Sequence, residues 1–361
     1  MKQALAQPFA PIAPPAVPLG RFLDGPAAAV RLERRTLLLE VRSPGRLVPW
    51  IGPAIRGITA LRYRASVCRQ PLEEWTGRWQ HCRGCPHLPD CGYGIAFEPE
   101  ARAPAAAPTP RQHVDGPELT EEPYASIDAV RRLVIAPAFP TITAARRGQA
   151  LEVQLTSIGT QASATVPGII AALADAGLRD GLGPDRVRFS IADLQPAADT
   201  LVVDPDRLPA LAPTGPALPR LTIRLDTPLF LREREARSRR MILAPNFQKF
   251  VRHSVRMVRE FFPPLRLDPA GDHEDAAARV ATVTNSIEPF RQEKASRRTF
   301  QRFEMEGVVG SITFADVPGC FLPWLALAGI LHVGGHRVAG AGGWTVHTEQ
   351  PPRPAAPGNP R

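Results

Sequence analysis

The chain has 361 residues, 44% of them hydrophobic and 22% charged, which suits a soluble globular protein with one large or two ordinary cores. Its formal charge of +9 comes from arginine far more than lysine, and arginine suits bidentate phosphate contact, so a nucleic-acid partner is favoured, although a GC-rich genome also enriches arginine. A membrane span is excluded, because the longest apolar run, 321–333, contains Pro323 and falls short of the roughly 18 residues a span needs.

The first 20 residues are rich in alanine and proline, which interrupts any signal-peptide apolar region and reads as a flexible tail. Residues 31–41 read as a first strand, ended by Ser43, Pro44 and Gly45. In 50–64 the apolar residues Ile51, Ala54, Ile55, Ile58 and Leu61 recur at helical spacing with arginines between, including Arg56 and Arg62. Such a helix has one buried face and one basic face.

Four of the five cysteines follow: Cys68, Cys82, Cys85 and Cys91. A C-x2-C pair with one cysteine close behind and one upstream supplies four thiolates for a tetrahedral structural zinc site and suits a reducing cytoplasm. His81 or His87 could replace Cys68 as the fourth ligand, and incidental buried thiols or an iron–sulfur site are the competing readings.

Residues 98–110 read as a linker or long loop, with strands at 132–136 and 150–158, a helix at 165–178 and a strand at 187–194. Strand, helix, insertion, strand, strand, helix, strand is the order of a ferredoxin-like unit. Residues 204–219 hold five prolines and form the natural boundary. Beyond it the order repeats: a strand at 220–231, a helix at 246–262, strands at 287–290 and 303–314, a helix at 322–331 and a last strand at 344–347. The expected fold is therefore α+β, with two tandem ferredoxin-like (RRM-like) domains. The first spans 30–203 with a four-cysteine zinc-binding insertion at about 66–98, a linker covers 204–219, the second spans 220–348, and 1–29 and 349–361 are disordered tails.

The second domain's last helix runs into a loop with Gly334, Gly335, His336, Arg337, Gly340, Gly342 and Gly343. Glycine lets the backbone approach an anion while His336 and Arg337 supply charge, so the loop reads as a phosphate cradle; the alternative is a plain turn. Arg237 and Arg240 precede the helix at 246–262, along which Lys249, Arg252 and Arg256 recur as one stripe, and Arg291, Lys294, Arg297, Arg298 and Arg302 cluster around an expected hairpin.

These features resemble the CRISPR-associated precursor-crRNA-processing endoribonucleases of the repeat-associated mysterious protein superfamily. The likeness rests on Gly52, Ile55, Arg56 and Gly57; on the insertion with Cys82, Cys85, Cys91, Tyr93, Phe97 and Glu98; on Thr227, Pro228 and Leu229; and on the run from Gly307 through His332 and Gly334 to Gly343. The resemblance implies binding of CRISPR repeat RNA over the basic face between two domains and metal-independent cleavage. The ribose 2′-OH attacks the adjacent phosphate, leaving a 2′,3′-cyclic phosphate and a 5′-OH. It also implies residence in the cytoplasm, with crRNA and other effector-complex subunits as partners.

One departure bears on catalysis: where the family often carries a histidine four residues after the glycine matched by Gly57, this chain has Leu61. Tyr63, His81 and His253 remain as candidate proton carriers. A catalytically inactive repeat-RNA-binding subunit is the alternative, and an unrelated zinc-containing RNA-binding protein the third reading.

Overall fold

The computed structural model describes residues 30–69, 82, 85, 87, 90–98, 131–194, 199–203, 208, 211, 216–233, 241–262, 272–295 and 302–349. In chain order the elements of the first half are β1 (Val30–Val41), β2 (Gly45–Arg46), α1 (Gly52–Val67), α2 (Gly92–Phe97), β3 (Leu133–Pro137), β4 (Ala144–Ala145), β5 (Ala150–Ile158), α3 (Thr160–Arg179), β6 (Phe189–Leu194) and β7 (Asp199–Val203). The second half contains β8 (Ala217–Leu229), α4 (Phe247–Phe261), α5 (Asp272–Ala278), β9 (Ala281–Ala295), β10 (Arg302–Pro318), α6 (Phe321–Leu331) and β11 (Trp344–Thr348).

Both main sheets are antiparallel. The first runs β3-β5-β1-β6, with β7 added along the start of β1, and the second runs β11-β8-β10-β9. Leaving aside the short β2–β4 ribbon, each sheet places the fourth strand of a β-α-β-β-α-β run beside the first, then the third, then the second. This mixed α+β architecture agrees with the ferredoxin-like expectation.

Strand periodicity explains how the halves join. On β1, Leu37, Leu39 and Val41 point into the first core with Ile55 and Ile58 of α1 and Ile169 and Leu173 of α3. Leu32 lies on the opposite face and packs with Ile158 and Val203 into the core of the second half, beside Leu221, Phe250 and Phe314. One strand thus feeds two cores. Helix α6 is apolar around its circumference and correspondingly buried, with Phe321, Trp324, Leu325, Leu327 and Leu331 all inside.

The hairpin strands β9 and β10 are much longer than the runs expected at 287–290 and 303–314. β9 pairs with β10 alone, so its outer stretch is an exposed edge without alternating burial, and such an edge tolerates Pro289. α2, α5 and β7 are five to seven residues each, too short to reveal a period in sequence.

The glycine-rich loop packs the halves together. Val333 N–H donates to Gly342 O (2.9 Å), Gly342 N–H to Pro228 O (2.9 Å), and Gly343 N–H to Thr227 Oγ1 (2.9 Å), so the Thr227–Pro228 end of β8 holds the loop in place. At Gly340, φ is +83°, and a Cβ would fall on Ala136 Cα of β3 and 2.7 Å from Ile135 O. A Cβ on Gly52 would likewise strike Ala339 O. The loop glycines therefore serve contact of the protein with itself, and the expected anion cradle is corrected here.

Replacing Gly340 by alanine adds steric overlap to left-handed strain and is expected to cost about 3 kcal/mol or more, whereas Gly148→Ala adds strain alone and is expected to cost roughly 1 kcal/mol. Gly148 is the fitting control because its φ is also +83° with nothing within 4 Å of an added Cβ. Urea denaturation of the two variants measures the difference.

Candidate nucleic-acid interface

The site grows around Trp50, which precedes α1 and is fully buried with Phe230, Phe290, Met305, Ala339 and Ala341. Gln292 of β9 clamps its main chain, accepting from Trp50 N–H (3.0 Å) and donating to Trp50 O (2.9 Å). His336 packs edge-on against Phe230, with ring centroids 5.2 Å apart, and lies 6.4 Å from Trp50. A left-handed backbone (φ 59°, ψ 20°) turns His336 toward this cluster.

Around these rings the sequence places cations from separate segments: Arg56 on α1, Arg232 just beyond β8 and Lys294 on β9. Burial and the charges of Lys294, Arg232 and Arg56 push His336 down to about 3, so its imidazole is neutral. Burial, with Arg56 adding to it, pushes Lys294 down to about 8. Lys294, Arg232 and Arg56 thus all act on His336, and Arg56 acts on Lys294. Among the described residues neither Arg56 nor Arg232 is in an ion pair, and the Arg56 guanidinium lies 5.9 Å from the Phe97 ring centroid. A neutral imidazole ringed by cations that repel one another is suited to receive an anion.

Other predicted RNA contacts are placed differently. Arg337 is buried: its guanidinium donates to Leu331 O (2.9 Å) and stacks 5.2 Å from the Phe261 centroid. Burial, with Arg131 nearby, pushes it down to about 9. Its role is corrected from RNA contact to packing within the second half, because solvent and phosphate are both shut out. Gly335, Gly340, Gly342 and Gly343 are buried, and Gly334 abuts Phe230 O. Arg62 is corrected as well, since it pairs with Asp180 (2.7 Å) and Asp175 (3.5 Å) at the end of α3.

On α4 the expected stripe exists as a face, with Lys249, Arg252 and Arg256 half-buried. Arg252 grips Glu274 of α5 through two hydrogen bonds (3.2 and 2.7 Å) and holds that carboxyl below the usual range. Arg291 pairs with Glu306 (2.7 Å) and Arg302 with Glu293 (3.4 Å). Arg237, Arg240, Arg297 and Arg298 lie outside the described residues.

The candidate proton carriers do not converge. Tyr63 is buried in the first core against Phe97, and burial, with Cys91 adding to it, raises its pKa. That environment disqualifies it as an accessible acid or base. His253 sits on α4 in the other half, and His81 lies outside the described residues. Trp50, Phe230 and Gln292 were missed as site residues. Gln292 gave no signal, while a tryptophan just before Gly52 and Pro53 was a usable one.

Two family models match consecutive parts of the chain. Residues 30–211 match the AF_1859_N model, described as an N-terminal domain, and residues 223–344 match the model of the CRISPR-associated endoribonuclease Cas6. Residues 223–344 are a Cas6-family domain. No curated protein matches it significantly. Solved structures similar to it include Thermus thermophilus Cas6 (TTHB231), 13% identical over 89% of this chain and 100% of that one, with a TM-score of 0.48. The Cas6 (TTHB231) product complex is 14% identical over 87% of this chain and 99% of that one, with a TM-score of 0.48. A Cas6-related protein from Pyrococcus furiosus is 9% identical over 89% and 100%, with a TM-score of 0.42.

In the first half of the chain the four predicted zinc ligands all line one cavity of about 140 Å³, together with Arg64, His87, Asp90 and Tyr93. Cys85 N–H turns back to Cys82 O (3.3 Å), and Cys68 caps α1 through its N–H to Arg64 O (2.9 Å). Burial, offset in part by Arg64, pushes Cys82 up to about 11. Among the described residues no three Cys, His, Asp or Glu side chains are drawn together closely enough to hold a metal, and the cysteines are free thiols.

His332 is buried beneath the loop, where its Nδ1 meets Ala341 O (3.1 Å), and burial pushes it down to about 3. His332 and His336 are thus neutral when folded but gain protons near pH 6.5 when unfolded, so their contribution is present above that pH and lost as pH falls below it. Each is expected to add up to ~1.4 kcal/mol of lost stability per pH unit between pH 6.5 and 5. His336→Asn, compatible with a left-handed backbone, should roughly halve their joint slope in denaturation midpoints measured across that range.

Proposed function

We propose that this protein binds CRISPR repeat RNA and cleaves precursor crRNA by attack of the ribose 2′-OH on the adjacent phosphate, giving 2′,3′-cyclic phosphate and 5′-OH ends. The match of residues 223–344 to the Cas6 model supports the substrate class. The observation that carries the site is the convergence of Arg56, Arg232 and Lys294 around a neutral His336 at the junction of the halves. In this reading 30–203 and 220–348 act as two domains, and the scissile phosphate sits against both.

The substrate brings its own nucleophile, so the reaction asks the protein for in-line positioning, cationic stabilisation of the pentacovalent phosphorane and proton transfer. Arg56 and Arg232 would neutralise the non-bridging oxygens, while the Trp50 and Phe230 rings form a dry floor that strengthens those charges. The reaction needs no catalytic metal, because the guanidinium groups supply the positive charge. Lys249 and Arg256 on α4 would hold flanking phosphates, binding that weakens with salt. The working environment is the cytoplasm, with crRNA and other CRISPR effector subunits as partners.

The second reading, a repeat-binding subunit that does not cut, is favoured by Leu61 in place of a helix histidine and by the burial of Tyr63. Purified protein incubated with its host's repeat RNA in EDTA decides between them. Cleavage that disappears with a 2′-deoxy nucleotide at the cut supports the enzyme, whereas tight binding without cleavage supports the subunit. Arg56→Ala is expected to weaken RNA binding roughly 10-fold, in line with loss of a charge-assisted phosphate contact, as read by filter binding at fixed salt.

Cys68, Cys82, Cys85 and Cys91 are proposed as the ligands of a structural zinc. Their soft donor set fits that ion, and the high pKa of Cys82 means that binding must release protons. Zinc would tie the segment after α1 to α2. Metal analysis should find about one zinc per chain, and cobalt in its place should show thiolate charge-transfer absorption that weakens in Cys82→Ser.

A further inference from the structure

The leaving 5′-oxygen of the proposed reaction needs a proton, and the candidates inferred from sequence do not provide one at the junction. Tyr63 is in the core, and His332 is sealed beneath the loop. His336 is in place but neutral at working pH, held so by burial and three surrounding cations. Among the described residues Lys294 is the remaining proton-bearing side chain of the cluster that is not a guanidinium.

Its position follows from strand geometry. On β9 the residues Phe290, Gln292 and Lys294 share one face at a period of two. Phe290 packs against Trp50, and Gln292 bonds its main chain, so the next residue on that face, Lys294, reaches the segment of α1 that carries Arg56. Arg56 and His336 face the Lys294 ammonium, and Arg232 stands behind His336. The charged neighbours on its own ribbon occupy the opposite face: Glu293 pairs with Arg302 and Arg291 with Glu306. Glu304 stands across from Glu293 and shares that face.

We propose that Lys294 is the general acid of this site, donating a proton to the departing 5′-oxygen; this rests on the cleavage reading above. O2′ forms a bond to phosphorus as its proton passes to solvent water. The P–O5′ bond breaks with its electron pair on oxygen, and an ammonium N–H of Lys294 transfers its proton there. The neutral amine then regains a proton from water. Burial and Arg56 ease this transfer by lowering the cost of giving the proton up, which makes the ammonium a stronger acid than a surface lysine.

The test is single-turnover cleavage at saturating protein. Wild type, Lys294→Ala and Lys294→Arg are compared on repeat RNA and on the same RNA with sulfur replacing the bridging 5′-oxygen at the mapped cut. Sulfur leaves without a proton. Lys294→Ala is expected to be ~100-fold or more slower on the oxygen substrate yet within a few-fold of wild type on the sulfur one. Lys294→Arg should keep RNA affinity and remain slow on oxygen, since a guanidinium does not release its proton. The wild-type rate should also fall as pH rises above about 8 (higher if bound phosphate stabilises the ammonium), and Lys294→Ala should lack that limb. Equal deficits on both substrates would overturn the assignment of Lys294 while leaving 2′-OH cleavage intact. A wild type that does not cut, or cuts without need of the 2′-OH, would overturn the cleavage reading and this one together. Thermal melts of the variants separate lost chemistry from lost folding.

Discussion

The structure depends on the close approach of two main chains at the junction. The Gly340 segment lies directly on Ala136 and Ile135 of β3, and Gly52 lies on Ala339, with no side-chain thickness between them. That contact closes the loop over Arg337 and His332 and removes both from water. The loss of hydration is offset for Arg337 by its bond to Leu331 O and by the Phe261 ring, and for His332 by neutrality and its contact with Ala341 O. Within the loop Gly334 and His336 stay half-buried, and His336 is held against Phe230 beside Trp50.

The same approach concentrates charge. Arg62, Arg252 and Arg291, all basic residues of helices or strands, are matched by carboxylates and contribute little net field. Among the described residues Arg56 and Arg232 have no such carboxylate, and together with Lys294 they act on His336, a concentration of like charge that is a cost to the folded state. Sites that concentrate like charge are those where function is expected, and in the proposed reading a phosphodiester would supply the negative charge.

Helix α1 carries both special regions. Its first turn meets the junction through Gly52 and Arg56, and its C-cap is Cys68, at the wall of the thiol-lined cavity. Sixteen residues of helix separate the two by roughly 24 Å. A structural metal at the far end would therefore act on the site only by fixing α1 and α2, whose Phe97 underlies Arg56. A role in holding the fold accords with that distance better than one in the chemistry.

Much of the fold was legible because apolar spacing reports which face of an element is buried. The strand at 150–158 matched its observed bounds, and α4 was displaced by a single residue at each end because Asn246, first counted in the helix, is its N-cap, accepting from Lys249 N–H. The four cysteines were legible from spacing alone, and they do share one cavity. The site was read less well, since local pattern identifies a glycine-rich turn but not what lies opposite it. Glycines that admit a phosphate and glycines that admit another main chain have the same sequence. Only the tertiary structure decided that Gly340 meets Ala136, that Arg337 turns inward, and that Lys294 of a distant hairpin comes to Arg56. Those outcomes depend on long-range burial and on the sum of charges from separate segments, neither of which is encoded within any one window of the chain.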